Sequence, residues 1–459
     1  MTARLVSAID TRNFGGDTVR LGDLNRDGMQ ELLFVQSDPC TRAVTCLTAT
    51  DLFGKVLWQA GTPSPDNGCT YSDLAVQIYD WDNDGANEVL WVEQAIYAES
   101  IVWDYAAGKH IIIPTTRRGE LNGRKGWAQE GAKRYEETAI MHVLDGATGN
   151  EKTKFQIPAP ADDCFAFANL TGGPRRSDLI VKDRYWNMWG VSHEGQVLWN
   201  YTKSNPGHYP VVADVDGDGR DEVFIGWNLI DHDGAILWTL PGAQSHQDSV
   251  HVVRMDGKLR LIFSHGEGEG LNGGVHCLTA DGNELWTREF GHAQIVVPGQ
   301  FQPDLGPIQF AVADLGWVQS AGVRKQPAIV ILDQDGREIS RKPYPDGASI
   351  FMVRIDWLGD GAPHCLAVAE GGPFDPAIRR SRMVPPVIQS AEGKVVERLP
   401  PTWPDGHETE NYTYVAAADV WGDSREETLV TGRECFNIYT NADLLPRETL
   451  YNATFYHGR

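Results

Sequence analysis

The sequence predicts an all-β fold: one closed β-propeller of eight blades, or seven if one degenerate repeat is spurious, with four antiparallel strands per blade. Three observations lead there. An acidic turn recurs along the 459 residues, a glycine hairpin recurs between its copies, and the two alternate along the chain. Repeats of this kind are units that cannot bury their faces alone, so they must stack, and here close into a ring.

The acidic turn reads D-x-[DN]-x-D-G-x-x-E. It stands at Asp23–Glu31, Asp80–Glu88 and Asp214–Glu222, with weaker copies from Asp356 and Asp419 and degenerate ones near Asn169, Met255 and Gln302. Each copy separates two short apolar runs, as in VVADVDGDGRDEVFIGW, which is a strand–turn–strand pattern. The hairpin reads D-x-x-G-x-x-L-W and ends at Trp58, Trp199, Trp238 and Trp286, with weaker forms at 145–152, 333–340 and 390–397. Its glycine supplies the positive φ of a tight hairpin, and the tryptophan that follows can cover the neighbouring blade. Acidic turn plus hairpin encloses four strands, which is one blade. No domain boundary interrupts the series, so residues 1–459 form one domain, with a long insertion at 98–140.

Composition narrows the partners. A formal charge of −23 excludes the basic field that nucleic acid or an anionic membrane needs. No apolar stretch approaches the roughly 18 residues of a membrane span. No export signal is visible in MTARLVSAID, which leaves either a cytoplasmic chain or one secreted with its signal removed. The seven cysteines lack a metal-type C-x-x-C spacing and read mostly as small buried hydrophobes, with a Cys40 disulfide to Cys46 or Cys69 left open. A monomer is expected.

Blade topology separates two sets of polar residues. The acidic turns join first to second strands, so they lie on one face of the ring. Carboxylates at turn positions 1, 3, 5 and 9 can hold Ca²⁺, which points to Asp80, Asp82, Asp84 and Glu88, and to Asp214, Asp216, Asp218 and Glu222. The alternative is that they only cap backbone N–H groups. Starts of first strands lie on the opposite face and carry Tyr71, His208, Tyr209, His246, Asp248, His251, His292 and Tyr412. Ends of second strands bring Arg184, Tyr185, Trp227, Asn228, His265, Glu267, Glu370 and Arg433 to that same face. Histidines so clustered suit proton transfer near neutral pH. Residues 109–134 of the first insertion hold seven Lys and Arg against two Glu, and a second insertion at 371–386 carries Arg379, Arg380 and Arg382. Basic clusters in an acidic chain suggest an anionic ligand.

The stretch GHYPVVADVDGDGRDEVFIGWNLIDHDGAILW, followed by SHQDSVHVVRMDG and FSHGEGE, resembles the propeller rhamnogalacturonan lyases, and YSDLAVQIYDWDNDGANEV and LDGATG are similar to the same family. The resemblance implies β-elimination beside a uronic acid in a rhamnose-linked acidic glycan, with bound calcium. Related propeller lyases act on ulvan or on L-rhamnose-α-1,4-D-glucuronate ends. The chain departs from the rhamnogalacturonan enzymes in lacking an extra N-terminal domain and in its basic insertion.

Such chemistry needs three groups: a neutraliser for the uronate carboxylate, a base for the C5 proton and an acid for the leaving O4. Arg184 suits the first because a guanidinium grips a carboxylate bidentately, with Ca²⁺ as the alternative. His208 is the expected base, with His246 or His251 next, and Tyr209 or Tyr185 the expected acid. Tyr71, Trp227, Asn228, His265, His292 and Arg433 are the expected sugar contacts. His246, His251, His265 and Glu267 form an alternative transition-metal set. The long insertions favour exo action by blocking one side of the cleft. Two other classes fit the repeats: a non-catalytic glycan- or protein-binding propeller, and a quinone-dependent dehydrogenase, disfavoured because no adjacent Cys-Cys pair occurs.

Overall fold

A computed structural model describes residues 3–14, 18–37, 43–63, 74–93, 99–104, 109–114, 139–161, 164–182, 187–203, 206–241, 247–266, 273–316, 326–345, 348–359, 364–375, 380–403, 414–421, 425–432 and 434–441, with backbone alone at 99–104, 109–114, 349, 372–375 and 380–383. Eight four-stranded antiparallel sheets form the blades, as the repeats imply. In blades 1 to 7 the strands run from innermost to outermost in chain order. Blade 1 holds Thr18–Gly22, Glu31–Ser37, Val44–Thr50 and Val56–Gly61; blade 2 holds Val76–Tyr79, Glu88–Glu93, Ala139–Asp145 and Glu151–Ile157. Blade 3 holds Phe165–Ala168, Asp178–Lys182, Met188–Val191 and Val197–Tyr201; blade 4 holds Val211–Ala213, Glu222–Phe224, Asn228–Ile230 and Ile236–Thr239. Blade 5 holds Gln247–Met255, Lys258–His265, Gly273–Thr279 and Glu284–Phe290; blade 6 holds Ala293–Gly299, Gln309–Asp314, Ala328–Leu332 and Glu338–Pro343. Blade 7 holds Ser349–Ile355, Cys365–Asp375, Val387–Ser390 and Val395–Arg398, with Arg380–Met383 paired to its long second strand.

Blade 8 closes the ring. Tyr414–Ala418, Glu427–Thr431 and Cys435–Thr440 are completed by Arg4–Asp10, with Arg4 opposite Thr440 and Asp10 opposite Cys435. The sequence signals did not reveal this closure, because Arg4–Asp10 carries neither repeat motif. The insertion at 98–140 contains a separate two-stranded sheet, Glu99–Asp104 with Lys109–Pro114. The rest of its basic cluster lies outside the described residues.

The core is distributed rather than central. Among the described residues it resolves into eight apolar clusters, each filled from two neighbouring blades. The cluster of Ile9, Phe34, Trp421 and Phe436 joins blade 8 back to blade 1. Cys46, Cys164, Cys277, Cys365 and Cys435 are buried, as expected, and Cys46 is not bridged to Cys40; Cys40 and Cys69 lie outside the described residues.

The tryptophan hairpins interlock the blades. The indoles of Trp58, Trp199, Trp238 and Trp286, each on an outermost strand, lie against Gly149, Gly234, Gly282 and Gly336 in the next blade's hairpin. Each indole N–H also donates to a carbonyl of that hairpin: Trp58 to Gly146 (2.7 Å), Trp199 to His232 (2.8 Å), Trp238 to Ala280 (2.9 Å) and Trp286 to Gln334 (2.9 Å). A Cβ added at Gly234 would sit 2.7 Å from the Trp199 ring, and its φ of +88° already disfavours any side chain.

Replacing Trp199, which is 9% exposed, tests this clasp. Trp199→Ala is expected to cost about 3–5 kcal/mol in denaturant unfolding, and Trp199→Phe about 1 kcal/mol more than zero, for the lost N–H donor. A Trp199→Phe variant as stable as the wild type would refute a hydrogen-bonded clasp.

Candidate active site

The face opposite the acidic turns gathers residues from three consecutive blades. Gln247, fully buried at the start of blade 5, organises the loop before blade 4. Its backbone carbonyl accepts from His208 N (3.2 Å), and its side-chain amide donates to the carbonyls of Pro206 (3.3 Å) and Tyr209 (3.4 Å). Gly207 makes room: a Cβ there would lie 2.3 Å from the Gln247 amide. The loop presents His208 and Tyr209 with ring centroids 5.8 Å apart.

Asp248 is the centre of the cluster. Its side chain is 1% exposed and faces two imidazoles: His208 Nε2 lies 3.8 Å from Oδ1 and His292 Nε2 3.5 Å from Oδ2. The Gln294 amide donates to Asp248 Oδ1 (2.9 Å), and Gln294 Oε1 is 3.1 Å from His292 Nε2, which assigns the proton to that nitrogen. Gln247, Asp248 and Gln294 hold this cluster together, and motif reading assigned them no role. Their signal was their place at the starts of first strands, in phase with His208.

Beneath this layer lies a second one. His265 Nδ1 sits 2.9 Å from the Gly266 carbonyl and Nε2 3.2 Å from His276 Nε2, while His276 Nδ1 meets Glu284 Oε2 at 3.0 Å. His276 stacks on Phe263 at 4.5 Å, and Trp227 packs edge-on against Phe263 at 5.0 Å. Burial, aided by the His276 and His292 charges, pushes His265 down to about 4 against the raising effects of the Gly266 carbonyl and Asp248. Burial also lowers His276, against the raising effect of Glu284.

Several expectations need correction. Trp227 (3% exposed) and Asn228 (2%) are not sugar platforms: the indole packs on Phe263 and His265, and Asn228 accepts from Tyr201 Oη (2.7 Å) and donates to Thr239 (2.6 Å) inside a blade interface. His265 is buried under the face rather than on it. His251 lies deeper along blade 5, with Nε2 2.6 Å from the Val296 carbonyl, so it ties blade 5 to blade 6 instead of joining Asp248. The placements of Arg184, Tyr185, His246, Tyr71 and Arg433, and of Glu267 and Tyr412, lie outside the described residues.

On the other face, the turn carboxylates do cap backbone N–H groups. Asp214 accepts from Gly217 and Gly219, Asp216 from Asp218, Asp218 from Arg220, and Glu222 from Val215 and Asp216. Asp214, Asp216 and Asp218 still bring one oxygen each within 4.8 Å of one another. Glu222 Oε1 is buried without a hydrogen-bond partner, so a hard cation fits this turn. Burial raises Glu222 to about 7 despite the Val215 and Asp216 N–H donors.

Residues 182–293 match the model of the rhamnogalacturonan lyase family 11 C-terminal domain. That stretch begins at the end of the second strand of blade 3 and contains His208, Gln247, Asp248 and His292 of the cluster, with Gln294 just beyond it. The chain is similar to the rhamnogalacturonan exolyase YesX of Bacillus subtilis (strain 168), 24% identical over 281 residues that form 53% of this chain and 43% of that protein. It is also similar to the endolyase YesW of the same organism, 22% identical over 285 residues, 54% of this chain and 43% of that one. These alignments thus span less than half the length of either relative. Among solved structures, the exotype lyase YesX superposes with a TM-score of 0.60 at 21% identity, covering 97% of this chain and 77% of that one. The rhamnogalacturonan lyase PL11 of Bacillus licheniformis gives 0.56 at 18%, covering 95% and 73%. At these identities the structural likeness is one of fold: a rhamnogalacturonan lyase-like propeller.

The two-layer arrangement has a consequence for stability. His265 binds a proton in the unfolded chain near its ordinary value of 6.5 but in the folded chain only near 4. The unfolded state therefore holds more protons between these values, and folding weakens as pH falls through that window, by about 3 kcal/mol. His265→Asn, which keeps a donor for the Gly266 carbonyl, should flatten the pH dependence of unfolding between pH 7 and about 4. An unchanged slope would place the titrating group elsewhere.

Proposed function

We propose that the protein is a polysaccharide lyase that cleaves a rhamnose-linked, uronate-containing glycan of the rhamnogalacturonan type by β-elimination, acting from chain ends. The carrying observation is the coincidence of the family-matched stretch with the His208–Asp248–His292 cluster. Its similarity to both an exolyase and an endolyase supports the chemistry, and the insertions in blades 2 and 7, on the cluster's face, support exo action.

In this mechanism Arg184 grips the substrate carboxylate and stabilises the charge that builds as C5 loses its proton. His208 takes that proton, and Asp248 supplies a buried counter-charge to the imidazolium formed. The C5 electron pair forms the C4–C5 double bond as the C4–O4 bond breaks. Tyr209 gives its proton to the departing O4, with Tyr185 as the second candidate. His292, fixed by Gln294, lines the same cleft. Calcium, when bound at Asp214, Asp216, Asp218 and Glu222, supplies structural cross-linking on the far face rather than a part in the reaction. A rhamnosyl-glucuronate end is the other substrate of this chemistry.

The test is incubation with rhamnogalacturonan, gum arabic and ulvan while following the ultraviolet absorbance of the unsaturated uronate product. A rise on rhamnogalacturonan with the wild type is expected, and His208→Ala should lower kcat on the order of 10²–10⁴-fold. Asp248→Asn should lower kcat with little change in KM. A flat trace on all three glycans from folded protein would instead indicate a binding propeller.

A further inference from the structure

Two acidic turns of near-identical sequence meet different surroundings. In blade 4 the four carboxylates make no ion pair with Lys or Arg among the described residues; His232 Nδ1 lies 3.8 Å from Asp218 Oδ2 and groups with Asp218 and Glu222, and Glu222 Oε1 has no hydrogen-bond partner. In blade 2 the Lys152 ammonium lies 2.6 Å from Asp82 Oδ2, 2.8 Å from Glu88 Oε1 and 3.8 Å from Asp84 Oδ2. Glu88 Oε1 is the counterpart of the orphaned Glu222 Oε1: in each glutamate the other oxygen accepts from the turn backbone, Trp81 N in one case and Val215 N in the other. The remaining carboxylates of blade 2 also meet cations. Arg26 of the blade 1 turn pairs with Asp84, and Arg175 of blade 3 lies 3.7 Å from Asp80.

At the position that reaches the turn glutamate, the two blades differ in one residue. Three positions past the hairpin glycine stand Leu57, Leu198, Leu237, Leu285, Ile339 and Val396 in blades 1 and 3 to 7, but Lys152 in blade 2. In blades 2 and 4 this residue is the extra one at a bulge, between Glu151 and Thr153 in one and between Ile236 and Trp238 in the other. Leu237 is 45% exposed and offers the blade 4 turn no charge. The partners of Lys152 raise its affinity for its proton, so it stays charged across the neutral range.

We propose that Lys152 is the resident cation of blade 2. Its ammonium takes the place at which the blade 4 turn receives a hard divalent ion, which makes one turn metal-independent and leaves the other metal-dependent. Asp80, Asp82 and Glu88 bring their oxygens close enough to hold an ion, as the turn motif leads one to expect, and on this proposal Lys152 occupies that place. The comparison rests on the reading of Asp214–Glu222 as a cation site, and on no reading of the lyase chemistry.

Calcium titration calorimetry of the full chain, stripped with chelator, tests this alongside thermal unfolding with and without calcium. Lys152→Leu should bind one ion more than the wild type and be stabilised by calcium more strongly. Leu237→Lys should bind one fewer. Asp82→Asn, a milder change, should leave the wild-type count intact. A folded Lys152→Leu with no added ion, or a count that falls with Asp82→Asn, overturns the assignment of Lys152. An unchanged count in Leu237→Lys overturns the blade 4 site alone.

Discussion

The whole ring depends on the clasp between a blade's outermost tryptophan and the next blade's hairpin. The indole face covers a glycine that has no side chain to hold it off, and the indole N–H fixes the ring's rotation through one carbonyl. Apolar contact alone would let neighbouring sheets slide, since it has no direction. A directed bond at the rim sets the angular phase of each blade. Where tryptophan is absent the contact persists in other forms: Phe155 lies on Gly195, Lys342 on Gly393, and Ile9 of the closing strand on Gly54. Because phase is fixed at the rim, the inner ends of the strands arrive at one face in register. That brings His208, Asp248 and His292 together from three separate turns of chain.

This dependence explains what could be read in advance. Blade count and topology were legible because the acidic turn and the glycine hairpin are local, and each forces its own turn geometry. Closure by Arg4–Asp10 was not, since a strand that pairs with Cys435–Thr440 needs only an apolar alternation shared by many segments. The histidines at strand starts were legible by phase. Their partners were not: Gln247 acts on a loop of blade 4, and Gln294 reaches Asp248 from blade 6, so their roles exist only once the ring is closed. Trp227 and Asn228 were misplaced for the same reason. Their phase brought them to the correct end of the strand, but burial depends on the neighbouring Phe263 and Tyr201.

Charge is segregated by the same topology. A chain with a formal charge of −23 places many of its carboxylates in turns on one face, where backbone N–H groups, Lys152, Arg26 and Arg175 hold them. Repulsion among them is countered locally and, through Debye screening, falls off within about 10 Å. Strand 1 of a blade separates that face from the cleft. The opposite face is thereby set apart from the densest carboxylates of the chain.

Under the proposed lyase reading, burial separates the imidazoles of the two layers. His265 has the more constrained geometry, held by Gly266 and His276 over an aromatic floor of Phe263 and Trp227. That floor removes water and pushes His265 to about 4, which makes it a weak base at neutral pH and leaves a neutral ring that supports the layer above. His208 differs in both respects. Its side chain is 13% exposed and faces the carboxylate of Asp248 at 3.8 Å. A catalytic base must be able to gain a proton and lose it again near working pH. The lower layer is built to stay neutral, and the loop shaped by Gly207 and Gln247 sets His208 beside Asp248 in the upper one.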